Sequence, residues 1–104
     1  MLTKNRYVVH TMIENFKCKE TEKIWKGLRT IRFPLDIQKR GLFKLRLLNA
    51  AFVLNDLNIP KGNNLEALKG NRKGQWSIRI NQQWRLCFQW KNGDAADIEI
   101  VDYH

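Results

Sequence analysis

The order of hydrophobic periodicities along this chain predicts an α+β fold, with two N-terminal helices packed on a small, mainly antiparallel β-sheet. Three observations carry the prediction. Apolar residues recur at steps of three and four from Ile37 through Gly41, Leu45 and Leu48 to Phe52, the signature of an amphipathic helix. Further on, Trp76, Ile78 and Ile80, then Trp84, Leu86 and Phe88, alternate with polar residues, the period of a strand with one buried face. An Asn92-Gly93 pair, a strong hairpin signal, joins the second of these runs to a third containing Ile98 and Ile100. With 104 residues, 43% of them hydrophobic, the chain has the size and composition of one domain with one core.

In chain order, residues 1–11 read as an extension ahead of a domain spanning 12–104. Met12-Ile13-Glu14-Asn15-Phe16 is itself a natural start, and Tyr7-Val8-Val9 has the propensity to pair with a sheet edge. Ile24, Trp25 and Leu28 fall at helical spacing and predict a short helix over 18–28. Pro34 suits a first helical position and Asp36 a first turn, so the second helix is expected over 34–54, covering a sheet. Pro60 and Gly62 mark 55–64 as a loop. Leu65 to Leu68 starts a strand, Gly70 to Gly74 is a turn, and strands follow over 75–80, 84–90 and 96–103.

Parity constrains the central hairpin. For Trp76, Ile78 and Ile80 to share a face with Trp84, Leu86 and Phe88, paired residue numbers must sum to an even value, which favours an odd-length loop such as 81–83. Ser77, Arg79, Arg85 and Cys87 then share the other face, with Arg79 opposite or diagonal to Arg85. Like charges across a strand pair repel, and an anion between them would relieve the penalty. In the last strand, Ala96, Ile98 and Ile100 are expected on the apolar face, and Asp97, Glu99, Val101 and Tyr103 on the arginine face, where they neutralise part of the basic charge.

The chain carries 19 Lys and Arg against 10 Asp and Glu, a formal charge of +9, with a pI near 10.0. That balance points to an anionic partner, and nucleic acid leads because no helix shows the clean basic/apolar split of a membrane-surface segment. The stretch from Leu68 to Phe88 holds Lys69, Arg72, Lys73, Arg79 and Arg85 with no acidic residue among them. No apolar run is long enough to span a bilayer, and the N-terminus lacks the pattern of a secretory signal, so a cytoplasmic protein with no membrane partner is expected. The two cysteines, Cys18 and Cys87, form no Cys-x-x-Cys pair and stand apart from His10 and His104; free thiols and no metal site are expected.

No nucleophile–His–acid triad, phosphate-binding glycine loop or carboxylate cluster is visible. The polar set Lys69, Arg72, Arg79, Arg85, Tyr103 and His104 does suit RNA cleavage without a metal or other cofactor. There the 2′-OH is the nucleophile, and the protein need supply only proton transfer and charge stabilisation. Arginines can clamp a phosphate bidentately, and a histidine titrates near neutrality. On composition and spacing alone, non-catalytic RNA binding stands ahead of catalysis, and a terminal histidine reads as a frayed end.

The pieces Leu65-Glu66-Ala67-Leu68-Lys69-Gly70-Asn71-Arg72, Trp76-Ser77-Ile78-Arg79, Trp84-Arg85-Leu86-Cys87-Phe88 and Val101-Asp102-Tyr103-His104 resemble the HigB-type toxins of the RelE/ParE superfamily. The resemblance covers roughly residues 12–104. It implies two helices packed on an antiparallel sheet and the toxin of a bacterial type II toxin–antitoxin pair. Such a toxin cleaves mRNA in the ribosomal decoding site without a metal, is silenced by a helix-turn-helix antitoxin of the HigA type, and meets operator DNA only through that antitoxin. Lys69, Arg79 and Arg85 match basic positions of the family's cleft and His104 its proton-transfer group, giving four catalytic candidates. Arg72 and Lys73 at the rim and Tyr103 beside the histidine are RNA-binding candidates. One departure stands out: some members carry a histidine three residues before the cleft lysine, and this chain has Glu66. The superfamily also contains gyrase poisons, so fold alone leaves a gyrase-directed toxin or a non-catalytic ribosome-binding module open. For the antitoxin, the exposed side of the first helix (Lys19, Glu22, Lys23, Lys26) and a cover over the basic cleft are equal expectations.

Overall fold

The computed structural model describes residues 12–103. The possible pairing of Tyr7-Val8-Val9 with a sheet edge, and the placement of His104, lie outside them. Helix α1 (Lys19–Trp25) and helix α2 (Leu35–Ala50) precede four antiparallel strands, β1 (Glu66–Ala67), β2 (Trp76–Arg79), β3 (Trp84–Lys91) and β4 (Asp94–Asp102), in the order β1-β2-β3-β4. Residues 12–17 run along the free edge of β4 in parallel, with Glu14 N donating to Ala95 O at 2.7 Å and Lys17 N to Ile98 O at 2.9 Å. Both helices contribute to a core with one face of the sheet: Ile24, Ile37, Leu45 and Leu48 from the helices, Ile78, Ile80, Leu86, Phe88, Ile98 and Ile100 from the strands.

Both helices are shorter than their periodicity predicts, and the reasons are local. α1 stops at Trp25 because Gly27 adopts φ +77°, while Leu28 N bonds to Lys23 O and Gly27 N to Ile24 O, a Schellman closure. Leu28 therefore leaves the core stripe and is 56% exposed. Pro34 caps α2 from outside with an extended ψ of 150° rather than occupying its first turn. At the far end the Asp56 carboxylate accepts from the backbone N–H groups of Phe52 and Val53 at 2.9 and 3.2 Å, which holds the chain in a new direction after Ala50. Phe52, expected on the buried stripe, is exposed. Gly41 lets α2 lie close on the sheet: a Cβ there would meet Ile100 Cδ1 at 3.1 Å.

The 55–64 segment is not structureless. It folds into 3₁₀ turns at Leu54–Asn58 and Lys61–Asn63 around a cis Ile59–Pro60 bond. Asn63 is fully buried at their junction. Its amide nitrogen donates to Leu57 O (3.0 Å) and Ile59 O (3.3 Å), and its amide oxygen accepts from Lys44 Nζ.

In the sheet the even-sum register holds: Arg79 lies directly opposite Arg85, Ile78 opposite Leu86 and Ser77 opposite Cys87. The Asn81 side chain fixes the hairpin loop by accepting from Gln83 N and Trp84 N, each at 2.8 Å. The β3–β4 register departs from a simple alternation. Cys87 opposes Glu99, but Gln89 opposes Ala96, so an extra residue is accommodated between them. Asp97 takes the left-handed conformation (φ 51°) at this bulge, and the Asn15 side chain clamps it through bonds of 2.9 and 3.0 Å. The bulge shifts the upstream residues by one. Ala95 joins the core cluster while Ala96, also buried, lies outside it, and Asp97 turns to Asn15 instead of facing the arginines. The strand also begins at Asp94, directly after the Asn92-Gly93 turn, rather than at Ala96.

Candidate functional site

The sheet face turned away from the helices carries the polar half of the alternation. At its centre Ser77 and Cys87 are fully buried and Arg85 is 7% exposed; from the fold-back of residues 64–75, Asn64 reaches Arg85 and Arg72 reaches Glu99. Leu68 N anchors that fold-back by donating to Gln75 O at 2.9 Å. A buried guanidinium needs acceptors, and Arg85 finds three. Its Nη1 donates to Ser77 Oγ at 2.6 Å and to Asn64 O at 3.4 Å, and stands 3.6 Å from a Glu66 carboxylate oxygen. The Tyr103 ring lies 5.9 Å from its Cζ. With its amide oxygen turned inward, Asn64 also accepts from Nη2 of both Arg79 and Arg85 at 3.2 Å. Two guanidinium groups are thus held side by side, and among the described residues the closest acceptors on them, Ser77 and Asn64, are neutral.

The other basic candidates divide. Lys69 is exposed at the start of the 3₁₀ turn Gly70–Arg72, on the same fold-back as Glu66, and Lys73 is exposed just beyond it. Arg72 is engaged within the fold: its Nη1 donates to Glu99 Oε1 at 2.8 Å and to Gln75 Oε1 at 3.0 Å, and the Glu99 contact raises its pKa. Lys17 shares that carboxylate at 3.8 Å. Glu99 therefore does neutralise basic charge, but of Arg72 and Lys17. Tyr103 is tied to the hairpin loop through its backbone N–H and Gln83 O, and burial and the neighbouring Cys87 raise its phenol pKa. Burial likewise pushes the Cys87 thiol up, the opposite of an activated nucleophile. Both cysteines are free. Among the described residues no group of three or more His, Cys, Asp or Glu could hold a metal ion.

Sequence reasoning missed Asn64. Its signal, the second of two adjacent amides in a loop between Pro60 and the first strand, is legible only once the loop is seen to reach the arginines. A groove of about 790 Å³ sits elsewhere, between the helices, lined by residues including the exposed Lys23, Arg29 and Arg32 with Ile31 and Phe33. Its cations are exposed and lack the cross-strand pairing of Arg79 and Arg85. The first helix's own charges pair locally, Lys23 with Glu20 at 3.4 Å and Lys26 with Glu22 at 3.3 Å.

A small α+β fold whose sheet face presents adjacent guanidiniums has the donor geometry that suits a phosphate or another compact anion. Comparison with known proteins identifies it further. Residues 14–104 match the family model described as the RelE-like toxin of the type II toxin–antitoxin system HigB. The chain is 44% identical over 87 residues to Toxin HigB-1 of Vibrio cholerae serotype O1, which covers 83% of this chain and 92% of that protein. It is 36% identical over 95 residues to Endoribonuclease HigB of Proteus vulgaris, covering 89% of this chain and 100% of the relative. The chain belongs to the HigB-like toxin family. As the toxin half of a toxin–antitoxin family, it has an antitoxin as its expected partner.

Proposed function

We propose that this protein is an endoribonuclease that cuts mRNA on the ribosome and so arrests translation. The observation that carries the reading is the Arg79–Arg85 pair, directly cross-strand and bridged by a neutral amide. A phosphodiester entering between the two guanidiniums would relieve their repulsion and accept their fork of donors. As the 2′-oxygen attacks phosphorus and the 5′-oxygen departs, negative charge grows on the non-bridging oxygens, where such donors act most strongly. Lys69 adds a mobile point charge from the fold-back, and Arg72, Lys73 and Tyr103 form the rim. His104, adjacent to Tyr103 in sequence, transfers a proton. The name of the Proteus vulgaris relative, an endoribonuclease, supports the same reading.

The remaining assignments follow from the family reading: a toxin domain over 12–104 with residues 1–11 as an extension, a bacterial cytoplasmic location, and silencing by a HigA-type helix-turn-helix antitoxin. No helix among the described residues is long and apolar enough to cross a membrane.

Primer extension on a message translated in a reconstituted extract tests the proposal. Intact protein should produce discrete 5′ ends within the open reading frame, and Arg85→Ala should abolish them while leaving the fold intact. Blocked translation with whole messages would mean a binding module instead, and whole messages with DNA-damage signalling a gyrase-directed toxin. Deleting His104 should leave growth unaffected on induction; full toxicity of the truncated protein would remove His104 from the mechanism.

A further inference from the structure

We infer that Asn64 is a positioning residue for the arginine pair, holding the Arg79 guanidinium alongside that of Arg85 so that one phosphate engages both; the inference rests on the phosphate-clamp reading above. The starting point is a repulsion. Arg79 and Arg85 face each other directly across β2 and β3, and two free guanidiniums in that register would swing apart toward water. With its amide turned so that the oxygen rather than the nitrogen faces the guanidiniums, the orientation that pairs donors with an acceptor, Asn64 accepts from Nη2 of each at 3.2 Å, and its backbone oxygen lies 3.4 Å from Arg85 Nη1. A carboxylate in this place would neutralise the pair. A neutral amide orders it and leaves the charge available to an anion.

The residue type and its surroundings fit that task. Asn64 has φ 48° and ψ 54°, a left-handed conformation uncommon outside glycine but tolerated by asparagine. Glycine would adopt it more cheaply but has no side-chain acceptor to offer. The position is also fixed from behind. Asn64 N donates to Lys61 O at 3.2 Å, and the preceding Asn63 is the fully buried residue bonded to Leu57 O, Ile59 O and Lys44. A rigid two-turn loop therefore delivers the amide to the sheet face. The two arginines depend on it unequally. Arg85 is also held by Ser77 Oγ at 2.6 Å and flanked by Glu66 and Tyr103, whereas Arg79 sits at the half-exposed end of β2 with Asn64 on its Nη2.

Asn64→Gly isolates the amide, because glycine keeps the left-handed backbone. Three measurements test the inference on the full chain: ¹⁵N relaxation at the arginine Nε groups, thermal unfolding, and mRNA cleavage in the translating extract. Expected are a lower order parameter at Arg79 Nε than in the parent, little change at Arg85, a near-parental unfolding temperature, and a fall in cleavage rate of roughly tenfold or more. In an Arg79→Ala background, Asn64→Gly should add nothing further. Unchanged order at Arg79, or a cleavage loss that persists in full in the Arg79→Ala background, would overturn the inference. Normal cleavage by Asn64→Gly while Arg79→Ala and Arg85→Ala are both impaired would overturn it alone. Normal cleavage by both arginine variants would bring down the phosphate-clamp reading and this inference with it.

Discussion

Arg85→Lys separates geometry from charge at the centre of the cleft. The substitution keeps the formal charge of +9 and removes the fork. In the native protein the guanidinium reaches in three directions at once, to Ser77 Oγ at 2.6 Å, to the Asn64 backbone oxygen at 3.4 Å and to the Asn64 amide at 3.2 Å. A lysine ammonium is a single, strongly hydrated point that cannot span them, and the side-chain site is 8% exposed, which penalises an ammonium more than a guanidinium. Losing one or two of these net hydrogen bonds costs about 1–3 kcal/mol of stability, or a fall in unfolding temperature of very roughly 4–8 °C per kcal/mol for a domain of this size. The effect on cleavage should be larger in ratio. Removing one preorganised donor from a developing oxyanion costs about 2.7–4 kcal/mol, so the cleavage rate should fall on the order of 10²–10³-fold. Arg79→Lys, at a half-exposed position with fewer fixed acceptors, should cost about tenfold. The assay is the initial rate of new 5′ ends by primer extension in a reconstituted translation mixture, at matched protein concentrations below the unfolding transition. Cleavage by Arg85→Lys within about threefold of the parent would show that charge alone suffices and refute the bidentate clamp.

Other substitutions test other parts of the framework. Thr21 is fully buried and its Oγ1 accepts from Ile100 N at 3.0 Å, so the nearly isosteric Thr21→Val should leave that amide unsatisfied and cost about 1–3 kcal/mol in denaturant unfolding, with faster hydrogen exchange at Ile100; parental stability would refute the assignment. Glu66→Gln removes a half-exposed carboxylate 3.6 Å from Arg85 and should tighten binding of ribosome-bound message up to about fivefold, the scale of an exposed ion pair, without slowing cleavage. A fall in cleavage with binding intact would instead give Glu66 a part in proton transfer. Cys87 is held protonated in the fold by burial, so its pKa is higher folded than unfolded. The unfolded chain then loses its proton first, and stability falls as pH rises from the ordinary thiol range toward the raised value. Cys87→Ala should flatten that alkaline fall in urea-unfolding stability; an identical slope in both proteins would remove Cys87 as a contributor.

How legible this molecule is in its sequence depends on the range of the interaction that decides each feature. The Arg79–Arg85 register follows from parity within one hairpin, a purely local constraint, and it appears as expected. The end of α2 is also local, but it depends on a side chain beyond the stripe: Asp56 captures the amides of Phe52 and Val53 and overrides four residues of helical periodicity. The bulge at Asp97 is beyond sequence pattern altogether, because its clamp, Asn15, lies 82 positions away. Alternation read without that clamp puts Asp97 on the cleft face, where it instead turns to Asn15, and puts Ala96 rather than Ala95 in the core cluster, although Ala96 is still buried. Asn64 fails for the same reason, since its role depends on a loop meeting a sheet. Arg72 shows the converse. That the last strand would neutralise basic charge was readable, but which cations it would take was not.

That last allocation decides what kind of anion site remains. The acidic tail opposes the basic body in sequence, and a chain that paired them uniformly would present little field anywhere. Instead the contacts of Asp97, Glu99 and Asp102 run to Asn15, to Arg72 and Lys17, and to Gln83. Among the described residues, the Arg79–Arg85 pair meets Ser77, Asn64, the Tyr103 ring and one half-exposed carboxylate, Glu66. Burial raises the energetic stake of that arrangement, because a guanidinium in a lower-dielectric setting interacts more strongly with whatever charge reaches it. A cleft organised by neutral acceptors is therefore ordered before its anion arrives and still attractive to it. In transition-state terms that is the favourable case, since the donors need no reorganisation as charge moves onto the phosphate oxygens. The same reasoning ranks the basic residues. Lys69 and Lys73, exposed on the fold-back, should govern encounter and salt dependence, whereas buried Arg85 and half-exposed Arg79 should govern the chemical step.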